Sequence, residues 1–255
     1  MFNEILLSFI QAATEFLPIS SSGHLALASL LLKQQPNLFF ITILHLASLL
    51  AVLIFVRKEI IFLLKFGKES RKLWGYLIIA TIPAALVGYF LKDMIEGAFS
   101  SLLFLGVAFL FTGFVLFLTK FFMKKEQGKE VSIGSSIFIG IFQALAIFPG
   151  VSRSGMTISS SLFSGFNREK AVKFSFLLFI PVSLGAFLLE VKDTVISNFL
   201  LTTPVVTLVI SFIVCLILSL VFLSLLFYIV KKERFWLFSF YCWLVGVICL
   251  FVYFL

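Results

Sequence analysis

The stretch Gln11-Ala-Ala-Thr-Glu-Phe-Leu-Pro-Ile-Ser-Ser-Ser-Gly-His24 interrupts the otherwise apolar region Phe2–Leu32. A second apolar region, Gly134–Gly165, is interrupted in the same way by Gln143 and by Pro149-Gly-Val-Ser-Arg-Ser-Gly155. Proline in a helix interior removes a hydrogen bond and kinks or breaks the helix, and a charge at membrane depth costs at least about 2.5–3.5 kcal/mol. Neither region therefore predicts one simple membrane span. Each predicts two half-helices around a polar break.

The two broken regions form part of an internal repeat with a register of 132 residues. This shift places Gln11, Ala12, Phe16, Ser20, Ser22 and Gly23 on Gln143, Ala144, Phe148, Ser152, Ser154 and Gly155. The same shift carries the first residues of three apolar stretches to within a residue of the start of three more. A register shared by breaks and spans is typical of a structural duplication.

Six stretches have the roughly 20 apolar residues that a transmembrane helix requires. They are Leu38–Val56, Leu73–Leu91, Leu102–Thr119, Ala171–Leu189, Pro204–Val230 and Phe235–Leu255. Three spans per repeat is an odd number, so the second repeat is expected to be inverted relative to the first. The predicted fold is an all-α polytopic membrane protein with six full transmembrane helices plus two re-entrant helix pairs in two inverted-topology repeats, at about 2–123 and 134–255.

The distribution of basic residues supports re-entry of both broken regions. If each enters and leaves on one side, 16 of the 20 Lys and Arg residues fall on one face of the membrane and three on the other. If the second region crossed once, the split would be 11 to 8. The positive-inside rule makes the basic face cytoplasmic and places both termini outside.

Composition excludes two classes of protein. The chain of 255 residues is 61% hydrophobic and 13% charged, whereas soluble domains are about 45–50% apolar and about 25% charged. Disordered chains are poor in aromatic residues, but this chain contains 35 Phe. The net charge of +8 is explained by membrane topology, so no nucleic-acid partner is expected.

The polar residues of the breaks predict a buried anion site. Bringing Glu15, His24 and Arg153 together would be the economical way to place two charges at membrane depth. Ser20, Ser21 and Ser22 open one helix, and Ser152, Ser154 and Thr157 open the other. Helix N-termini bind phosphate, and the Arg guanidinium matches phosphate oxygens. A purely structural Glu–Arg pair remains open, as does structural hydrogen bonding by the hydroxyls.

Gln11 and Glu15 are four residues apart and share a helix face. An amide oxygen and a carboxylate could bind a hard cation such as Mg²⁺ together with substrate phosphates, although Glu15 could equally act as a general base. His24 could be an acid–base group, a nucleophile, a phosphate donor or simply a satisfied polar residue. His45, inside the first span, favours an interhelical hydrogen bond. These residues alone do not separate a lipid-phosphate enzyme from an anion transporter.

The two breaks resemble the two signatures of the undecaprenyl-diphosphate phosphatase family, the bacitracin-resistance proteins. Gln11–His24 resembles the first signature, and Pro149-Gly-Val-Ser-Arg-Ser-Gly-Met-Thr157 resembles the second. The resemblance implies release of inorganic phosphate from undecaprenyl diphosphate, which recycles the lipid carrier of cell-wall synthesis. It also implies dependence on Mg²⁺ or Ca²⁺, a bacterial plasma membrane location and an active site open to the outer face.

The resemblance also assigns roles to individual residues. Gln11 and Glu15 take the positions linked to metal and catalysis, Ser21 that of the proposed nucleophile, and His24 that of the signature histidine. Ser20, Ser22, Ser152, Arg153, Ser154 and Thr157 take diphosphate-binding positions. Gln11 is an amide where many family members have Glu, which lowers the charge at the expected metal site.

Three alternatives remain beside this prediction. The chief one is a transporter or flippase of an anionic polyprenyl lipid or phosphate, because inverted repeats suit alternating access. The others are a structural or regulatory membrane protein and a phosphatase of a shorter polyprenyl diphosphate. The expected partners are the lipid bilayer and the polyprenyl diphosphate substrate, and a homodimer is left open.

Overall fold

The structure is a computed structural model that describes residues 2–32, 38–122, 128–196 and 204–255. These residues form α-helices, and no β-strand occurs among them. The helices are α1 Phe2–Phe16, α2 Ser21–Leu32, α3 Leu38–Phe55, α4 Arg57–Leu64, α5 Lys68–Phe90, α6 Lys92–Phe99, α7 Leu102–Phe122, α8 Ile133–Leu145, α9 Arg153–Phe163, α10 Arg168–Ile196, α11 Val205–Lys231 and α12 Phe238–Phe254. A short 3₁₀ turn, Phe235–Leu237, precedes α12.

The long helices confirm an all-α polytopic membrane protein. Within the described ranges, α5, α7, α10, α11 and the segment Phe235–Phe254 are long and apolar enough to cross a membrane. A sixth span is present if α3 and α4, which meet at a bend of 73°, are taken together. All six predicted spans therefore coincide with helices.

Both predicted breaks are present as pairs of short helices. α1 and α2 have 15 and 12 residues, and α8 and α9 have 13 and 11. Each is shorter than the roughly 20 residues needed to cross the bilayer. The prediction of half-helices around Pro18 and around Pro149-Gly150 is confirmed.

The two repeats are packed into one another. α1 of the first repeat packs on α11 of the second, and its counterpart α8 packs on α5 of the first. The equivalent helices α7 and α12 also pack together, and Gly106 and Gly246 permit their close approach: a Cβ at Gly246 would lie 2.9 Å from the Gly106 oxygen. The exact limits of the repeats and their inversion across the membrane stay predictions.

The helices α4 and α6 were not expected from the sequence. Under the repeat register, α4 matches the last part of α10, where the chain does not bend away. In the first repeat, Arg57, Lys58 and Glu59 follow the apolar stretch immediately. The sharp turn at Val56 removes these costly charges from the path of the span. The matching part of the second repeat is also charged, at Glu190, Lys192 and Asp193, so charge alone does not explain the difference between the two repeats.

Gly23 brings the two breaks into contact, and its replacement tests this packing. A Cβ at Gly23 would lie 2.8 Å from the Gly150 Cα and 2.9 Å from the Gly150 nitrogen, both backbone atoms that cannot rotate away. We expect Gly23→Ala to lower the free energy of unfolding by about 1–3 kcal/mol through overpacking.

Thermal unfolding in detergent measures this effect. Gly75→Ala on α5 is the matched control, because its Cβ would meet no atom within 4 Å and alanine favours a helix over glycine by about 0.5–1 kcal/mol. Equal melting temperatures for Gly23→Ala and wild type would contradict the close contact of the two breaks.

Candidate active site

Equivalent serines cap the second helix of each pair. The Ser20 hydroxyl oxygen accepts a hydrogen bond from the Gly23 N–H at 3.2 Å, and the Ser152 oxygen accepts one from the Gly155 N–H at 3.1 Å. Ser20 Oγ also accepts a hydrogen bond from the Gly150 N–H at 3.2 Å. The Ser20 side chain therefore caps the helix that follows the first break and also hydrogen-bonds to the backbone of the second break.

Helix α7 supports both breaks from one side. Thr112 Oγ1 donates to the Gly150 carbonyl at 3.0 Å and accepts from the Ser152 N–H at 3.3 Å. The Phe109 ring, one turn earlier, meets the His24 ring edge to face at 5.4 Å between centroids. α7 thus satisfies backbone groups that the proline-containing turns leave without helical partners.

The Glu15 carboxylate is the centre of the site. Its Oε1 accepts a hydrogen bond from Arg153 Nη2 at 2.6 Å, across the two repeats. Its Oε2 accepts from Ser21 Oγ at 2.6 Å and from Gln11 Nε2 at 3.1 Å. The expected meeting of Glu15 and Arg153 is therefore observed, and Ser21 is added to it, whereas His24 contacts Ser20, Tyr241 and Phe109.

The Glu15–Arg153 pair is largely enclosed. The exposed fraction of the side chain is 8% for Glu15 and 17% for Arg153. The Arg153 guanidinium also lies over the Phe179 ring of α10, 3.8 Å from its centroid. Aromatic contact and ion pairing together hold the guanidinium in one orientation while leaving part of it open.

The hydrogen bonds of His24 define its tautomer. Its Nδ1 lies 2.7 Å from the Ser20 carbonyl oxygen, which can only accept, so Nδ1 carries the proton. Its Nε2 lies 2.7 Å from the Tyr241 hydroxyl, which donates to it when the imidazole is neutral, and the two rings stack with an interplanar angle of 13°. The nitrogen that a nucleophilic histidine would use is occupied by Tyr241.

Tyr241 is a site residue that the sequence did not reveal. It lies on α12, 217 residues from His24, and no spacing rule links the two.

We expect Tyr241→Phe to lower kcat about tenfold with little change in KM, because the ring stays while Nε2 of His24 loses its donor. The pH dependence of kcat is the informative measurement. Tyr253→Phe, at the end of the same helix, is the control, and identical profiles for wild type and Tyr241→Phe would exclude a positioning role.

The other predicted phosphate-binding residues make protein contacts. Ser22 Oγ lies 3.3 Å from Ser20 Oγ, and Ser154 Oγ donates to the Leu17 carbonyl at 3.4 Å. Thr157 is fully buried and donates to the Arg153 carbonyl at 2.9 Å. Their roles in diphosphate binding, like those of Ser20 and Ser152, stay predictions. His45 lies close enough to the Glu15 carboxylate to interact with its charge. The interhelical hydrogen bond expected of His45 stays a prediction.

Gln11 provides the best candidate oxygen for a metal ion. Its Oε1 is buried and has no hydrogen-bond partner in the described part of the chain, while its Nε2 is used by Glu15. No cluster of three or more His, Cys, Asp or Glu side chains suited to a metal occurs among the described residues. The donor set fits a cation that completes its coordination with phosphates and water.

A cavity of about 920 Å³ lies at the start of α10. It is lined by charged side chains that pair with one another: Lys173 lies 2.8 Å from Glu59 and 2.7 Å from Glu169, and Lys170 lies 2.7 Å from Glu130. The predicted site residues, all of which the structure describes, do not line this cavity.

The sequence matches a known family over nearly its whole length. The family model described as bacitracin resistance protein BacA matches residues 4–248. The undecaprenyl-diphosphatase of Thermosipho africanus is 42% identical over 254 residues, which cover 98% of this chain and 99% of that protein. The undecaprenyl-diphosphatase of Alkaliphilus metalliredigens is 40% identical, covering 97% and 96%, and that of Methanobrevibacter smithii is 39% identical, covering 96% and 94%.

Proposed function

The chain belongs to the BacA family of bacitracin resistance proteins, and we propose that its Glu15 centre hydrolyses undecaprenyl diphosphate to undecaprenyl phosphate and inorganic phosphate. Relatives about 40% identical over nearly the full chain carry the name of this enzyme. The reaction recycles the lipid carrier of cell-wall synthesis. The observation that carries the assignment of the site is the hydrogen bond from Ser21 Oγ to Glu15 Oε2, at 2.6 Å.

Ser21 and Glu15 form a nucleophile and base in direct contact. Glu15 takes the proton as Ser21 Oγ attacks the terminal phosphorus, and the bond between that phosphorus and the bridging oxygen breaks. Undecaprenyl phosphate leaves, and water then attacks the phosphoserine to release inorganic phosphate. His24 is less suited to attack, because Tyr241 occupies its Nε2.

Arg153 and the helix ends bind the diphosphate. The guanidinium has five N–H donors, and Glu15 accepts a hydrogen bond from one of its terminal nitrogens. The remaining donors can bind phosphate oxygens, whose charge spreads further in the transition state. The N-termini of α2 and α9 add partial positive charge beside the same site.

A divalent cation, Mg²⁺ or Ca²⁺, would be held by Gln11 Oε1 and Glu15 together with substrate phosphates. When bound, it would neutralise charge on the phosphate oxygens. Gln11 orients the Glu15 carboxylate through its 3.1 Å hydrogen bond. The neutral amide at this position contributes less charge to cation binding than a carboxylate would.

The Gln11→Glu variant tests this cation site. A second carboxylate next to Glu15 is expected to lower the Mg²⁺ concentration for half-maximal activity about tenfold, since cation affinity rises with ligand charge. Titration of Mg²⁺ into chelator-treated protein measures the change. Gln127→Glu, which lies outside both signatures, is the control; an unchanged Mg²⁺ requirement in Gln11→Glu would place the cation elsewhere.

The protein is a multi-pass membrane protein. The proposal adds that it lies in the bacterial plasma membrane with both termini outside and the site open to the outer face, as the distribution of basic residues supports. A homodimer stays a prediction. A transporter of the same lipid would need binding groups, but it would not need a hydroxyl in contact with a base.

Phosphate release by the purified protein in detergent tests the proposed function. The assay uses undecaprenyl diphosphate with and without Mg²⁺, beside Arg153→Ala. Metal-dependent release that is lost in a folded Arg153→Ala variant is the expected result. Absence of release by folded wild type with Mg²⁺ or Ca²⁺ would overturn the enzyme assignment and favour anion transport.

A further inference from the structure

An apolar groove of about 500 Å³ begins beside the candidate active site. One wall consists of Leu17 and Ile19, which belong to the first break. The rest of the lining consists of Ile229 near the end of α11, Arg234, Leu237 of the 3₁₀ turn, and Phe238 and Tyr241 of α12. Apart from Arg234 and the Tyr241 hydroxyl, the lining residues are apolar, so the groove suits a hydrocarbon chain.

The groove is continuous with the site through Tyr241. This residue lines the groove and also donates its hydroxyl to His24 Nε2 at 2.7 Å. Leu17 and Ile19 flank Pro18, between the Glu15 base and the Ser21 hydroxyl. The apolar groove and the anion site therefore share one boundary, as expected for a ligand with a charged end and an apolar chain.

We propose that this groove holds the isoprene units adjacent to the diphosphate, with Tyr241 at the boundary between chain and headgroup. This inference rests on the proposed function and specifies which surface of the protein contacts the lipid chain. The groove volume lies within the range of about 300–1,000 Å³ common for small-ligand sites. Burial of apolar chain here contributes to affinity without any polar partner.

The direction of the groove agrees with the predicted topology. Its lining extends from Leu17 and Ile19 of the first break to Arg234, which follows α11 on the face predicted to be cytoplasmic. A lipid whose headgroup enters from the outer face carries its chain toward the opposite face. The groove therefore extends the site in the direction that the chain must take.

Filling the groove with a larger side chain tests the proposal. We expect Leu237→Trp to raise KM for undecaprenyl diphosphate about tenfold, which corresponds to about 1.4 kcal/mol of lost binding, with kcat changed less than twofold. Leu237 is 43% exposed, which allows the larger ring to be accommodated without disrupting the core. Leu244→Trp on α12 is the matched control, because Leu244 is 60% exposed and does not line the groove.

A second measurement covers the case in which Leu237→Trp does not fold. A photoreactive benzoylphenylalanine at position 237 is expected to cross-link to radiolabelled undecaprenyl diphosphate, whereas the same group at position 244 is not. Equal KM values for the two Trp variants, or equal cross-linking at the two positions, would overturn the groove assignment. Failure of wild type to release phosphate would instead overturn the proposed function.

Discussion

Replacing Ser21 by alanine is expected to lower kcat by at least about 10⁴-fold, as is typical when an enzyme loses its nucleophile. The Ser21 hydroxyl is the group within 2.6 Å of the Glu15 carboxylate that can attack phosphorus. Alanine removes that oxygen without adding volume or charge. The protein should therefore stay folded, and the remaining rate would come from a positioned water.

The measurement is steady-state phosphate release combined with trapping of the phosphoenzyme. Ser224→Ala is the control and should retain wild-type activity, because the Ser224 hydroxyl lies on α11 outside the site and donates to the Leu220 carbonyl of its own helix. The wild-type intermediate is expected to be stable in acid, as a phosphoserine is. An acid-labile phosphoenzyme, or retention of activity in Ser21→Ala, would contradict the Ser21 assignment and favour His24.

Arg153→Ala is expected to lower kcat about 10³-fold or more, because a guanidinium on a transferring phosphoryl group typically contributes a factor of 10³–10⁵. It should also destabilise the protein by about 3–5 kcal/mol, since it leaves the buried Glu15 charge without its partner. Arg153→Lys keeps the charge but lacks the planar fork. The Arg153→Lys variant should therefore keep a larger share of the wild-type stability than of the wild-type activity.

A double variant separates these two effects. Arg153→Ala combined with Glu15→Gln leaves no unpaired charge, so its melting temperature should recover toward that of wild type while activity stays lost. Arg71→Ala, an exposed residue outside the site, is the control. If the Arg153→Ala variant retained full activity with lowered stability, the pair would be structural only.

Much of the architecture follows from the sequence because the membrane imposes strict rules. Pro18 together with the polar run after it disfavours a continuous helix in lipid, and the structure has half-helices there, whereas Pro83 and Pro181, in apolar surroundings, lie inside α5 and α10. The charges of Glu15 and Arg153 require each other at membrane depth, and they meet at 2.6 Å. Such predictions depend on the cost of leaving a charge or a backbone group without a partner in the membrane. This cost can be judged without knowing the tertiary structure.

The sequence was less informative about which serine hydroxyl caps a helix and which one contacts the Glu15 carboxylate. Ser20, Ser21 and Ser22 are adjacent and chemically alike. In the structure, Ser20 Oγ caps a helix and binds the Gly150 N–H, whereas Ser21 Oγ binds the Glu15 carboxylate. The difference arises from the direction in which each side chain leaves the turn, which composition and spacing do not specify.

The sequence by itself therefore determined that this protein crosses the membrane repeatedly and buries a polar centre between its two breaks, and it predicts that the chain is duplicated. Hydrophobic length, proline and charge suffice for that, since each acts locally. Only the tertiary structure decided that Thr112 supports the second break and that Tyr241 binds His24 from 217 residues away. Such partners are selected by the packing of α7 and α12 around the breaks, and packing depends on all helices together.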